Sequence, residues 1–320
     1  MPLAEHHDHG ARLRRSTRVS KLAVSSFSLF REIGPLHFEP RGENGELFSF
    51  SMPFPSEYTL EGFVGLVKDR AGVSAIELCQ IQFERTDAAT IERLRAALET
   101  HEVALRTVPI DLGDLGTGNP VHRAEDVERI IRWFGIAEAL GTEFVRVNTG
   151  TPGPGTTSHD HDGVAEALRR LSDEAGARSM RLLIENHGGA SSDPGYLIGL
   201  QDAVGPDRVG ILLDLGNFEP LVTISTSRLM GGQDESEAID VEPIYRSIEE
   251  LAGRADLVHA KDFDPRSDGT PMFDLDRALG IVSASGFIGP ISIEWEGALG
   301  DPWMHVRDMA GAVRRWFPGY

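Results

Sequence analysis

The stretch RLLIENHG, Arg181 to Gly188, decides the fold. Leu182, Leu183 and Ile184 run without a polar break into Glu185. A short continuous apolar run bounded by turn residues reads as a strand covered on both faces. A carboxylate that closes such a strand is costly unless it is paired or bound to a cation. The same grammar returns three times: ILLDLGNF from Ile211, LVHAKDF from Leu257 and ISIEWEG from Ile291. These runs place Asp214, His259 and Glu294 where the first places Glu185.

Working outward, eight strand-like runs alternate with helical segments. Before Arg181 they are KLAVSSFSLF from Lys21, VSAIELCQI from Val73, VALRTVPI from Val103 and EFVRVNTG from Glu143. From Arg181 onward they are RLLIENHG, RVGILLDLG from Arg208, DLVHAKDF from Asp256 and PISIEWEG from Pro290. Between them AATIERLRAALETHE, DVERIIRWFGIAEALG and DGVAEALRRLSDEAGA repeat apolar residues at helical spacing. Gly141 and Gly176 read as helix C-terminal glycines. Strands alternating with helices imply a parallel sheet. Eight such units in 320 residues favour a closed (β/α)8 barrel, an α/β TIM barrel in a single domain over residues 21–320. No Gly-x-Gly-x-x-Gly follows the first run, which argues against an open dinucleotide-binding sheet. Residues 1–20, polar and basic without an apolar core, read as a disordered tail and not as a secretory signal. Two segments look inserted after strands, from Pro35 to Glu57 and from Thr223 to Glu242, on the side where barrels build lids.

Composition narrows the partners. There are 31 Lys plus Arg against 50 Asp plus Glu, a net charge of -19, which opposes binding to nucleic acid and to anionic membranes. No run of 18 apolar residues suggests a membrane span. Cys79 is the single cysteine, so no intrachain disulfide forms and a cytoplasmic location is expected; in its apolar run it reads as a buried structural thiol.

In a closed parallel barrel the four strand tips share one mouth. Three carboxylates and an imidazole suit one divalent cation, Mn²⁺, Mg²⁺, Co²⁺ or Zn²⁺, and without it their charges would repel. Glu185, Asp214, His259 and Glu294 are thus expected to hold a metal. Glu296, two residues beyond Glu294, competes for the fourth place; Glu294 lies deeper and is preferred, leaving Glu296 to meet substrate. His187, Asn217 and Lys261 are further candidate substrate contacts. So are Arg146 on the fourth run and Glu77 at the end of the second, although a salt bridge between those two is an equal alternative. Arg266 reads as a solvated loop residue.

The Glu-Asn-His of the fifth run, Asp-x-Gly-Asn of the sixth, His-x-Lys-Asp of the seventh and Ile-Glu of the eighth resemble the xylose isomerase-like TIM barrels, commonly called sugar phosphate isomerases/epimerases. The resemblance runs from Lys21 to the C-terminus. It implies that Glu185, Asp214, His259 and Glu294 are metal ligands, and that Glu185 and Glu294 also act as an acid/base pair. It implies a sugar isomerase or epimerase working by proton transfer at a carbon next to a carbonyl, through an enediolate. A dehydratase acting on inososes, or a lyase on an oxidised glycoside, uses the same site chemistry, and a non-catalytic sugar-binding protein is the reading of another class. The partner is a small sugar or cyclitol, and members of this superfamily often form homo-oligomers. The related apurinic endonucleases need histidines on the second and third strands; IELCQI and LRTVPI have none.

Overall fold

The computed structural model describes residues 20–42, 44–150, 160–232 and 239–320. Eight parallel strands close into a barrel. They are β1 (Leu22–Ser25), β4 (Ala75–Glu77), β5 (Ala104–Ile110), β6 (Phe144–Val147), β7 (Arg181–Glu185), β8 (Val209–Asp214), β9 (Ala255–Phe263) and β10 (Ile291–Glu296). β10 pairs with β1, Leu22 beside Ile291 and Val24 beside Ile293, so the sheet has no free edge. Each of the eight strands lies in one of the eight runs expected from the sequence, except that β9 begins one residue earlier, at Ala255.

Strand parity sorts the side chains. Phe144, Leu183, Leu212 and Leu257 form a small apolar cluster of their own, apart from the main core. Two residues further along the same strands stand Arg146, Glu185, Asp214 and His259. Side chains two apart share a face, so an apolar plug underlies a polar floor. The intervening residues, among them Val145, Ile184, Leu213 and Val258, belong to the main core together with the apolar faces of the helices.

Several local readings need correction. The first run stops being a strand at Ser25, whose side chain accepts from the Phe27 backbone N–H and turns the chain into a 3-10 helix at Ser26–Leu29. The second run behaves alike, with a 3-10 helix at Gln80–Gln82. Gly141 does cap the helix Pro120–Leu140 in a left-handed conformation. Gly176, in contrast, lies inside the helix His161–Ala177, whose C-cap is Arg178. The insertion after β1 folds as a hairpin, β2 (Leu36–Phe38) against β3 (Phe50–Met52). The start of the insertion after β8 completes the helix Leu221–Leu229. Its acidic middle, 233–238, and the tail 1–19 lie outside the described residues. Among the described residues no helix is long and apolar enough to cross a membrane.

Candidate metal centre and substrate cavity

Barrel closure brings three of the four expected ligands to one point. Glu185, Asp214 and His259 each offer a ligand atom, all within 4.8 Å of one another. His259 Nδ1 lies 3.4 Å from Asp214 Oδ2, 3.7 Å from Glu185 Oε1 and 3.9 Å from Glu294 Oε2. All four side chains are buried. Neither His259 Nδ1 nor Asp214 Oδ2 has an aligned hydrogen-bond partner. Buried polar atoms are nearly always satisfied, so atoms left open this close to one another fit a bound divalent cation. The other oxygen of Asp214 is taken, accepting from the N–H groups of Gly216 at 2.7 Å and Asn217 at 3.1 Å.

The surrounding shell orients these groups. Glu77 lies beneath His259, its Oε2 2.8 Å from Nε2, which leaves Nδ1 to face the carboxylates. A buried carboxylate on the far nitrogen is the usual partner of a metal-ligating imidazole. Burial alone would lower the His259 pKa; Glu77, Asp214 and Glu294 instead raise it well above the ordinary value. The Arg146–Glu77 salt bridge weighed from the sequence is not formed. Arg146 turns to Asp111 at 2.5 Å and to Glu185 Oε2 at 2.8 Å. Burial raises the Glu185 pKa, opposed by Arg146 and His259. Asn217 donates to Glu185 Oε1 at 3.3 Å. It also accepts from Lys261 Nζ at 2.9 Å.

Lys261 separates the roles of the two glutamates on β10. It lies 3.1 Å from Glu294 Oε1 and is ion-paired with Glu296. Glu294 therefore spends one oxygen on Lys261 and turns the other toward His259, whereas Glu296 meets Lys261 and does not join the cluster. Burial works against the Lys261 charge, but Glu296, Glu294 and Asp214 raise its pKa well above the ordinary value.

Above this floor opens a cavity of about 870 Å³. Arg146, His187, Asn217, Lys261, Glu294 and Glu296 line it. Burial pushes the His187 imidazole down to about 4, so the ring is neutral near pH 7. Glu77, read from the sequence as a substrate contact, meets His259 across the barrel interior.

Asp111 is the site residue that the sequence reading missed. It follows β5, lines the cavity and binds Arg146 and Asn148. Its signal was present: in VPID it closes an apolar run much as Glu185 closes its own. Burial raises its pKa, yet Arg146 and His187 hold it below the usual carboxylate range.

The sequence profile of the xylose isomerase-like TIM barrel matches residues 67–317. The chain belongs to this family. Solved structures of the same architecture include the IOLI protein with a bound zinc atom, 15% identical, covering 93% of this chain and 100% of that one with a TM-score of 0.65. An L-ribulose 3-epimerase is 16% identical and covers 92% and 95%, with a TM-score of 0.63. The 3-keto-D-glucoside 4-epimerase from E. coli is 16% identical and covers 80% and 94%, with a TM-score of 0.55. At such identities these are likenesses of fold. Comparison with curated protein sequences gives no match. Family membership confirms the resemblance drawn from the four strand tips.

Proposed function

We propose that this member of the family is a divalent-metal-dependent sugar isomerase or epimerase that moves a proton at a carbon next to a carbonyl. The observation that carries this reading is the pair of open buried atoms, His259 Nδ1 and Asp214 Oδ2, facing Glu185 and Glu294. Those four residues would hold the cation, Mn²⁺, Mg²⁺, Co²⁺ or Zn²⁺ by their donor set. When bound, such an ion polarises a carbonyl and acidifies the neighbouring C–H. The similar folds support the assignment: one carries zinc and others are named as sugar epimerases.

The chain's own residues supply the proton chemistry. Glu185 on β7 and Glu294 on β10 stand at the two ends of a four-strand arc, with Asp214 and His259 between them. One carboxylate takes the proton and the other returns it from the opposite side, which inverts the centre; return to the neighbouring carbon isomerises the sugar. Arg146 and Asn217 hold Glu185, and Lys261 holds Glu294. Neutral His187 and the Lys261–Glu296 pair are placed to meet substrate hydroxyls. The single buried thiol, Cys79, suits a reducing cytoplasm.

The test is deuterium wash-in from D₂O across ketoses, inososes and 3-keto-glycosides with Mn²⁺ present. Exchange at one carbon beside a carbonyl, lost in Glu185→Gln and Glu294→Gln while both variants still melt cooperatively, is the expected result. Exchange in neither wild-type reaction nor any substrate class, with no divalent ion retained by the pure protein, overturns the proposal. Loss of water or of an aglycone after exchange would make the enzyme a dehydratase or lyase.

A further inference from the structure

The cavity is larger and less polar than a single sugar ring requires. Its volume of about 870 Å³ stands near the top of the roughly 300–1,000 Å³ range that encloses drug-sized ligands. One end is the polar floor already described. Another stretch of wall is apolar and comes from two connections at the barrel mouth: Phe27, Phe38 and Phe50 from the 3-10 helix and hairpin after β1, and Leu229 at the end of the helix Leu221–Leu229 after β8. The Phe38 and Phe50 rings stack with centroids 5.1 Å apart. Phe27, Phe38 and Leu229 pack on a small core of Phe30, Leu36, Cys79 and Ile81 that is distinct from the main core of the barrel. That second core props the aromatic wall, and Phe27, Phe38 and Leu229 remain only half-buried.

Charge on the wall excludes a second class of ligand. Four arginine or lysine side chains line the cavity, and each is already ion-paired. Arg41 binds Asp126 and Glu125. Arg129 binds Asp126 and Glu39. Arg146 and Lys261 are held by Asp111 and Glu185 and by Glu294 and Glu296 respectively. Among the described residues the wall therefore offers no spare cation of this type to a phosphate or carboxylate, while a buried unpaired anion would be costly.

We propose that the substrate is an uncharged molecule in two parts. A polyhydroxylated ring meets His187, Lys261 and Glu296, and a planar apolar substituent lies against Phe27, Phe38 and Phe50. The chemical class is an aryl glycoside or a similar conjugate of a sugar with an aromatic group. This inference rests on the reading of the polar end as the site of proton transfer.

Isothermal titration of the full chain with Mn²⁺ present tests it, using methyl β-D-glucoside, phenyl β-D-glucoside and glucose 6-phosphate as probes. Phenyl glucoside should bind at least tenfold tighter than methyl glucoside, equivalent to about 1.4 kcal/mol. Phe38→Ala and Leu229→Ala, on different elements and each first checked for a cooperative melt, should bring that ratio below threefold. Glucose 6-phosphate should bind no tighter than methyl glucoside. A wild-type ratio under tenfold, a ratio that persists in both variants, or preference for the phosphate overturns the proposal. Because these probes carry no reactive carbonyl, the outcome is independent of turnover. Deuterium exchange into free ketoses with a phenyl-to-methyl ratio near one would keep the reaction and remove the two-part substrate. A tenfold ratio without exchange into any carbonyl compound would do the reverse.

Discussion

Replacing Lys261 by Met should cost this protein more stability than most single changes, and the structure says how much. Lys261 is buried, 3% exposed, and its ammonium faces Glu294 and Glu296 from β10 and the Asn217 side-chain oxygen. Methionine fills similar volume but leaves two buried carboxylates uncompensated. Breaking a buried ion pair by removing one partner costs about 3–5 kcal/mol, a large part of the roughly 5–15 kcal/mol that holds a domain together. The measurement is urea unfolding at pH 7.5 in EDTA, so that bound cations do not enter the comparison. Glu296→Gln in the same background should recover at least about 1 kcal/mol, since neighbouring charged partners couple by about 0.5–3 kcal/mol. The pH dependence has a defined sign. Burial already raises the Glu296 pKa against the opposing Lys261 charge, and without Lys261 it rises further above its unfolded value of about 4.3. The folded variant then binds a proton more tightly than the unfolded chain, so its stability falls as pH rises past that value. Its deficit against wild type should be smaller at pH 5 than at pH 8. A loss under about 1 kcal/mol, or no recovery in the double variant, would refute the picture of Lys261 as the neutralising centre of the floor.

Three further outcomes follow from particular residues. Mn²⁺ at a hundred times its dissociation constant should stabilise the wild type by about 2.7 kcal/mol, read as a rise in Tm, and Asp214→Asn should abolish most of that rise; equal rises in both would remove Asp214 from the metal centre. The Asp262 carboxyl is pushed up to about 6 by burial, so it weakens the fold progressively as pH climbs from about 4 to 6. Asp262→Asn should therefore gain about 1–3 kcal/mol in urea unfolding at pH 8 and nothing at pH 4, and a gain equal at both values would contradict the assignment. A Cβ at Gly216 would sit 2.8 Å from the Phe263 ring and 3.1 Å from Lys261 Cγ. Gly216→Ala should cost about 1–3 kcal/mol and slow any exchange reaction, and a variant as stable and active as wild type would show that this wall yields easily.

What the sequence by itself determined is the architecture and half of the site. Apolar runs such as LLIE and ILLD are local objects: each states that its strand is buried and that a carboxylate ends it. Eight in alternation with helices leave a closed barrel as the natural way to bury them, and closure puts Glu185, Asp214, His259 and Glu294 on one rim. Family membership follows from those same tips. The pairing of charges did not follow, because parity gives the face of a strand and not the neighbour across the barrel. Arg146 turned to Asp111 and Glu185 at the two flanking strands, whereas Glu77 reached across the barrel interior to His259. The contacts of Glu294 and Glu296 were likewise set by one lysine on the adjacent strand. The aromatic wall was the least legible part. Phe27, Phe38 and Phe50 follow β1 whereas Leu229 follows β8, and only the tertiary structure draws them over one mouth. Local burial costs write themselves into a run of residues, whereas contacts between distant segments are settled by the geometry of the closed barrel.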